Sequence, residues 1–406
     1  MAAQVEHLKW IQGTNFMVDG FNFQSPRCRS YFLTHFHSDH TTGLRKNFCG
    51  GVIYCSEITA VLLRKDMGMP PERIIPLPMD EPLEIDGVTV TLIDANHCPG
   101  SCMFLFQLPY KAASPSSPRV ILHVGDMRWH PRLGRHPALR AVKVDLLYLD
   151  TTYASPKHVF PCQEDAIAEI VRLMRKERPG TLFVVGSYHI GKERAFLGAA
   201  KALGWKVWCN ANKKKTMKML RLPEADMALL TTVQTSAQIH VTFMGQGLQP
   251  EALEQRISGS KWSHVVAFRP TGWSFRKSGG LDVRKEGNVT IYGIPYSEHS
   301  SFLELRDCVR TLRPSRIIPT VNVTNDPATA RAIVDRFADL MDLSRDKSRL
   351  DVYFKPKARK AQQRLLAYIA ASRGLSCKRA ADMSPPAQLA KKQLSIAGFL
   401  KRKVCA

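Results

Sequence analysis

Residues 31–40 read YFLTHFHSDH, an apolar run that breaks into three histidines and an aspartate within six positions. Side chains alternate faces along a strand, so His35 and His37 point the same way if the strand continues. Asp39 and His40 follow where the chain must turn. One backbone segment thus presents four metal-capable groups within a few ångströms. Neutral imidazole and carboxylate suit zinc or a similar first-row metal. Four such groups are too dense for one tetrahedral ion, so the pattern suggests two ions side by side, roughly 3.5–4 Å apart as in hydrolytic sites.

The same design recurs. "TLIDANHCPGS" ends an apolar run and offers His97; "VILHVGDMR" ends another and offers Asp126, a carboxylate suited to bridging both ions; "LLYLDTTY" offers Asp150 and "FMVDGF" offers Asp19. Open sheets place functional groups at strand ends. Short β-branched runs dominate before residue 160, with one clear helix in "EITAVLLRKDMG" stopped at Gly68. From residue 163 strands and helices alternate ("EDAIAEIVRLMRKERPG", "TLFVVGSY", "KERAFLGAAKALG", "WKVWCN"), which implies parallel α/β packing.

The net charge of +23 points to a polyanionic partner, nucleic acid or an acidic membrane surface. Thirteen Lys/Arg against the single acid Asp382 give residues 355–406 a balance of +12, which leaves +11 on the first 354 residues. The basic body is therefore more than a tail effect. No apolar run approaches a membrane span and the N-terminus lacks a secretory core. Ten cysteines without a C-x-x-C pair read as reduced thiols of an intracellular protein.

Gly186 and Gly191-Lys192 fit G-x-x-x-x-G-K between a strand and a helix, but Glu193 stands where a nucleotide-binding loop needs Ser or Thr. The expectation is a helix start with open N–H groups and a lysine, an anion site. Trp273, close to Arg269 in "FRPTGWSFRK", either stacks a base or belongs to the core.

H-x-H-x-D-H followed by N-H-C-P-G-S and G-D resembles the metallo-β-lactamase superfamily. "LYLDTTY", "FRPTGW" and "IYGIPYSEHSS" are similar to its β-CASP nucleases, in particular the DNA cross-link-repair 5′-exonucleases related to Artemis. The resemblance covers about residues 10 to 325. It implies a four-layer αβ/βα sandwich (1–155 and 291–355) with an inserted β-CASP α/β domain (156–290) and a basic tail (356–406). It further implies His35, His37, His97 and Asp126 on a first metal, and Asp39, His40 and Asp126 on a second. Asp19 and Asp150 would orient ligands, and His299 would lie near the scissile phosphate. Lys192, Thr271, Ser297 and Tyr153 would bind a terminal 5′-phosphate; His189 departs from the serine of related sequences. Zinc is the expected cofactor, tightly held at the first site and weaker at the second, where magnesium or manganese is an option. RNA-processing members carry a histidine where this chain has Val321, which favours DNA as substrate, single-stranded or damaged, with a 5′-phosphorylated end.

Competing readings are a structure-specific DNA endonuclease, an RNA-processing nuclease, a hydrolase of small thioesters or lactams, and a non-catalytic DNA-binding scaffold. Near the end, Gln393, Ile396 and Phe399 have the Q-x-x-I-x-x-F spacing of a box that docks on the PCNA sliding clamp. Lys378-Arg379 and Lys391-Lys392 resemble a bipartite nuclear import signal, and the last thirty residues or so are expected to be disordered.

Overall fold

The computed structural model describes residues 6–109, 119–274, 281–323 and 327–345. The expectations for the tail, including Gln393, Ile396, Phe399 and the import-signal lysines, lie outside the described residues. The described chain divides into two units. One is built from the chain up to Ser155, Lys215–Leu222 and the stretch from Glu298; the other from Pro156–Lys214 and Pro223–Ser297.

In the first unit the short β-branched runs pair into two sheets. β1 (Phe16–Val18), β2 (Ser30–Phe32), β3 (Val52–Ser56) and β4 (Ile74–Leu77) form an all-parallel sheet in that order. The second sheet joins β5 (Leu83–Ile85), β6 (Val88–Asp94), β7 (Cys102–Gln107), β8 (Val120–His123), β9 (Leu146–Leu149) and the late strand β17 (Arg316–Pro319) in the order β17-β9-β8-β7-β6-β5. Alternation decides which side chains meet between the sheets. Phe16, Val18 and Phe32 pack against Val90, Leu92, Phe104, Phe106, Ile121 and Tyr148 of the second sheet. Their neighbours Met17, Tyr31 and Ile53 face the other way, onto Ala60 and Leu63 of the helix Glu57–Lys65. That helix begins where the sequence reading placed it, with Ser56 capping Thr59 N–H. In the second sheet Met103, Leu105, Leu122 and Leu147 are buried as well, so both of its faces are covered. The layering is the αβ/βα sandwich expected from sequence.

The second unit is a single sheet of β10 (Thr181–Ser187), β11 (Val207–Trp208), β12 (Leu230–Thr231), β13 (Ile239–Phe243), β14 (His264–Pro270), β15 (Asp282–Glu286) and β16 (Val289–Ile294), ordered β12-β11-β13-β10-β14-β16-β15. Every pair except β15–β16 is parallel, as the strand–helix alternation requires. β10 sits near the centre and is buried along its whole length. β16 spans residue 290 and pairs with β14 throughout, so the strand at the expected 290/291 boundary stays with this unit. Among the described residues no helix is long and apolar enough to cross a membrane.

Phe32 is the hub of the sandwich core: its ring lies 4.9–5.2 Å from those of Phe16, Tyr54, Phe104 and Phe106. Phe32→Ala should lower stability by about 3–5 kcal/mol. Chemical denaturation measures this, and a loss below about 1 kcal/mol would contradict the packing.

Candidate metal centre

The carboxyl ends of β1, β2, β6, β8 and β9 deliver the sequence-predicted groups to one place in the first unit. β2 supplies Thr34 to His40, β6 leads to His97, β8 to Asp126 and β9 to Asp150. His37 Nδ1 lies 3.0 Å from His35 Nε2 and 3.2 Å from His97 Nε2. Asp126 Oδ2 is 3.7 Å from both His35 Nε2 and His97 Nε2. One nitrogen cannot share a proton with two neighbouring imidazoles at once, but a cation among the four groups satisfies all of them. Tetrahedral zinc with bonds of roughly 2.0–2.2 Å sets its ligands roughly 3.3–3.6 Å apart, close to these separations. Two of the donors are also in the correct protonation state. Burial, and then the neighbouring His299 and His37, push His97 down to about 3. Burial and the surrounding imidazoles likewise hold His35 well below the ordinary histidine value. Both therefore present lone pairs at neutral pH.

The second set meets the other oxygen of the same carboxylate. His40 Nε2 lies 3.3 Å from Asp126 Oδ1 and 3.6 Å from Asp39 Oδ2. Asp126 thus faces one ligand group with each oxygen, the geometry of a bridge. The two sets differ in proton affinity. Burial alone would lower His40, but the carboxylates of Asp126 and Asp19 outweigh it and hold the imidazole well above its usual value. A cation entering here must displace that proton, whereas none opposes it at His35 and His97. Asp39 is also open to solvent, its side chain 75% exposed.

Asp19 and Asp150, expected to orient ligands, each contact an imidazole of the cluster. Asp19 adopts left-handed backbone (φ 50°) and accepts from Thr34 N–H at 2.9 Å and Thr34 Oγ–H at 2.7 Å. Its Oδ2 lies 2.7 Å from His40 Nδ1 and fixes that ring. Asp150 accepts from Met127 N–H and Thr152, and its Oδ2 lies 2.8 Å from His299 Nδ1. His299 Nε2 is then 3.9 Å from Asp126 Oδ2. Tyr153 stands 6.1 Å from His299 between ring centroids. Val321 exchanges backbone hydrogen bonds with the Thr151 hydroxyl beside Asp150.

In the second unit Lys192, Thr271 and Ser297 gather at the carboxyl ends of the adjacent strands β10, β14 and β16. Thr271 N–H donates to Ile294 O. The Lys192 ammonium lies 5.3 Å from the centre of the Tyr296 ring, next to Ser297, and 5.5 Å from that of Tyr188. One expectation is corrected. The amide of Gly191 is not open to a ligand: it donates to both carboxylate oxygens of Glu193, at 3.0 and 2.8 Å, and Glu193 in turn pairs with Lys213 at 2.9 Å. An acid in the first turn of a helix is stabilised there by its N–H groups and dipole. Trp273 is 64% exposed, which removes the core alternative for it.

Sequence reasoning missed two features. The Cys98 sulfur lies within 4.8 Å of the ligating atoms of His35, His37 and His97; its adjacency to His97 was the only signal. The second is a clamp between two loops. Ser300 N–H and Oγ–H both donate to Met127 O, and Trp129 N–H donates to Ser300 Oγ. Arg128, 3% exposed, donates twice to Glu304, and Trp129 Nε1–H donates to Asp307 at 2.9 Å. Ser301 and Glu304 also close a capping box on the helix Phe302–Leu312. The clamp fixes Asp126 against His299. Glu304→Ala removes the box and the two hydrogen bonds that the buried Arg128 makes to this carboxylate, so it should cost about 3 kcal/mol. Glu304→Gln keeps an acceptor and should recover roughly 1 kcal/mol of that. A thermal-denaturation series in which Ala and Gln are equally harmless would refute the clamp.

The chain is similar to known DNA-repair proteins. Residues 224–325 match the family model described as DNA repair metallo-beta-lactamase. The chain is 43% identical over 328 residues to the DNA cross-link repair protein SNM1 of Arabidopsis thaliana, covering 78% of this chain and 66% of that protein. It is 44% identical over 325 residues to the human DNA cross-link repair 1A protein, covering 78% and 30%, and 34% identical over 313 residues to the 5′ exonuclease Apollo of Gallus gallus, covering 77% and 63%. It therefore spans under a third of the human relative and about two thirds of the others. With its ligand pattern, sandwich fold and these relatives, the chain belongs to the DNA cross-link-repair group of the metallo-β-lactamase superfamily.

Proposed function

We propose that this protein is a metal-dependent 5′-to-3′ DNA exonuclease that hydrolyses phosphodiesters from a 5′-phosphorylated end, in repair of interstrand cross-links or double-strand breaks. The observation that carries the reading is the pairwise approach of His35, His37, His97 and Asp126, with His40 on the second oxygen of Asp126. These residues would hold zinc, and Asp39 and His40 would complete a weaker second position open to magnesium or manganese. When bound, the metal supplies Lewis acidity toward a water and toward the phosphoryl oxygens.

The protein's own part is positioning and proton control. Asp150 presents His299 with Nε2 toward Asp126, where the ring can stabilise charge on the phosphate or donate a proton to the leaving oxygen. Asp19 and Thr34 keep His40 aimed at Asp126. The Lys192 ammonium, with Thr271, Ser297 and Tyr153, would bind the terminal phosphate. A terminal phosphate carries more charge than an internal diester, so such a site favours ends. The basic surface would add salt-dependent affinity for the strand. The protein would act in the nucleus and would dock to a PCNA clamp through Gln393, Ile396 and Phe399.

Two experiments test it. Asp126→Asn, with Asp39→Ala beside it, should lower hydrolysis of single-stranded DNA by about 100-fold or more with unchanged circular dichroism. Turnover at the unmutated rate in zinc-restored buffer would refute the ligand assignment. The unmutated chain should digest 5′-phosphorylated strands in preference to 5′-hydroxyl strands, and Lys192→Ala should narrow that preference without loss of bound metal. Equal use of both ends by the unmutated chain would eliminate the phosphate pocket, and cleavage of a circular strand would favour an endonuclease.

A further inference from the structure

Three aromatic side chains are exposed among the described residues: Tyr188 at 41%, Phe243 at 65% and Trp273 at 64%. The other exposed large apolar residues, Ile75, Leu83, Val233 and Val283, are all aliphatic. The three rings are not scattered. Phe243 is the last residue of β13, Tyr188 follows the last residue of β10, and Trp273 lies in the turn after β14. Those strands are consecutive neighbours in the parallel sheet of the second unit. Register aligns them, with Ser187 level with Phe243 and Val185 level with Phe268. The exposed rings therefore share one edge of one sheet.

Exposing three large rings along one edge leaves apolar surface in water, and such surface marks a binding site. The setting identifies the ligand. The segments 156–214 and 223–297 carry eighteen Lys/Arg against eleven Asp/Glu, so the unit is strongly basic. The Lys192 ammonium stands 5.5 Å from the Tyr188 ring, which puts a cation beside the row. Exposed rings interleaved with positive charge are the means by which proteins hold unpaired strands, one base per ring, because every base has a π-face. Neighbouring strand ends are about 4.8 Å apart, so three of them span roughly 10 Å, the length of about three stacked nucleotides.

We infer that Phe243, Tyr188 and Trp273 form a stacking track for a single-stranded segment of the nucleic-acid substrate. The inference rests on the nuclease reading for its substrate and deepens it by naming the surface that holds bases. A duplex keeps its bases stacked on one another and gains nothing from such rings, so the track selects unpaired strand.

The test uses the full chain with a 5′-phosphorylated, phosphorothioate-linked strand that resists hydrolysis. Strands of about 20 and about three nucleotides carry 2-aminopurine at successive positions, and its quenching reports ring stacking. The expected result is quenching by the unmutated chain. Phe243→Ala, Tyr188→Ala and Trp273→Ala should each weaken binding of the long strand about fivefold or more. Phe243→Tyr should restore it, which a purely structural role of Phe243 would not predict. Unquenched probe together with unchanged affinity in all three alanine variants would overturn the track, the outcome also expected if this edge serves a protein partner. Ring-dependent quenching without hydrolysis of an ordinary strand supports the track and sinks the nuclease reading. Hydrolysis with ring-independent binding does the reverse.

Discussion

The site depends on one buried carboxylate. Asp126 is 7% exposed and has an imidazole nitrogen within 3.3–3.9 Å on four sides, from His40, His35, His97 and His299. A buried charge persists only with compensation. Burial would raise this carboxyl, but His40 and His299 lead the neighbours that hold it well below the usual range. The backbone is shaped to allow it. Gly125 before it sits at φ +58°, where a Cβ would come within 2.8 Å of the Thr34 side chain. Thr34 in turn holds Asp19, and Asp19 holds His40. A side chain at residue 125 would be strained and would disturb the second ligand set through this chain of contacts.

The same carboxylate explains why the two ligand sets are unequal. Its Oδ2 faces deeply buried, neutral imidazoles, while its Oδ1 faces an imidazole kept protonated by two acids. The first set offers a cation lone pairs at no protonic cost. The second exchanges a proton for it, and its outer ligand Asp39 is held by little besides solvent and His40. Burial and charge around the two ligand sets therefore differ, and with them the ease with which each set would take a cation.

The strand runs and the clustering of the histidines were legible in the sequence because both are local, whereas the sandwich came from the family resemblance. Period-two alternation explains why Phe16, Val18 and Phe32 share the inward face in the structure, and the same period put His35 and His37 on one face in the sequence reading. The clamp was not legible. Arg128 with Glu304 and Trp129 with Asp307 join segments far apart in the chain, and neither pair carries a periodic or spacing signal. The occupied Gly191 amide is the feature that escaped the sequence in the loop before the helix Glu193–Leu203. Its glycines and lysine have the spacing of a phosphate loop, but the first-turn acid supplies from within the chain the anion that such a loop takes from a ligand. Cys98 and the exposure of Trp273 needed coordinates, because a cysteine or tryptophan in a loop has the same sequence context whether it packs inward or faces solvent.

His35, His37, His97 and Asp126 should together enclose one tightly held ion. Anomalous diffraction at the zinc absorption edge, on crystals of the purified chain, tests it most directly. The expected result is a strong peak within bonding distance of His35, His37, His97 and Asp126, and a weaker or absent peak between Asp126, His40 and Asp39. A dominant peak at the second position, or none between the three histidines after zinc is supplied, would contradict it.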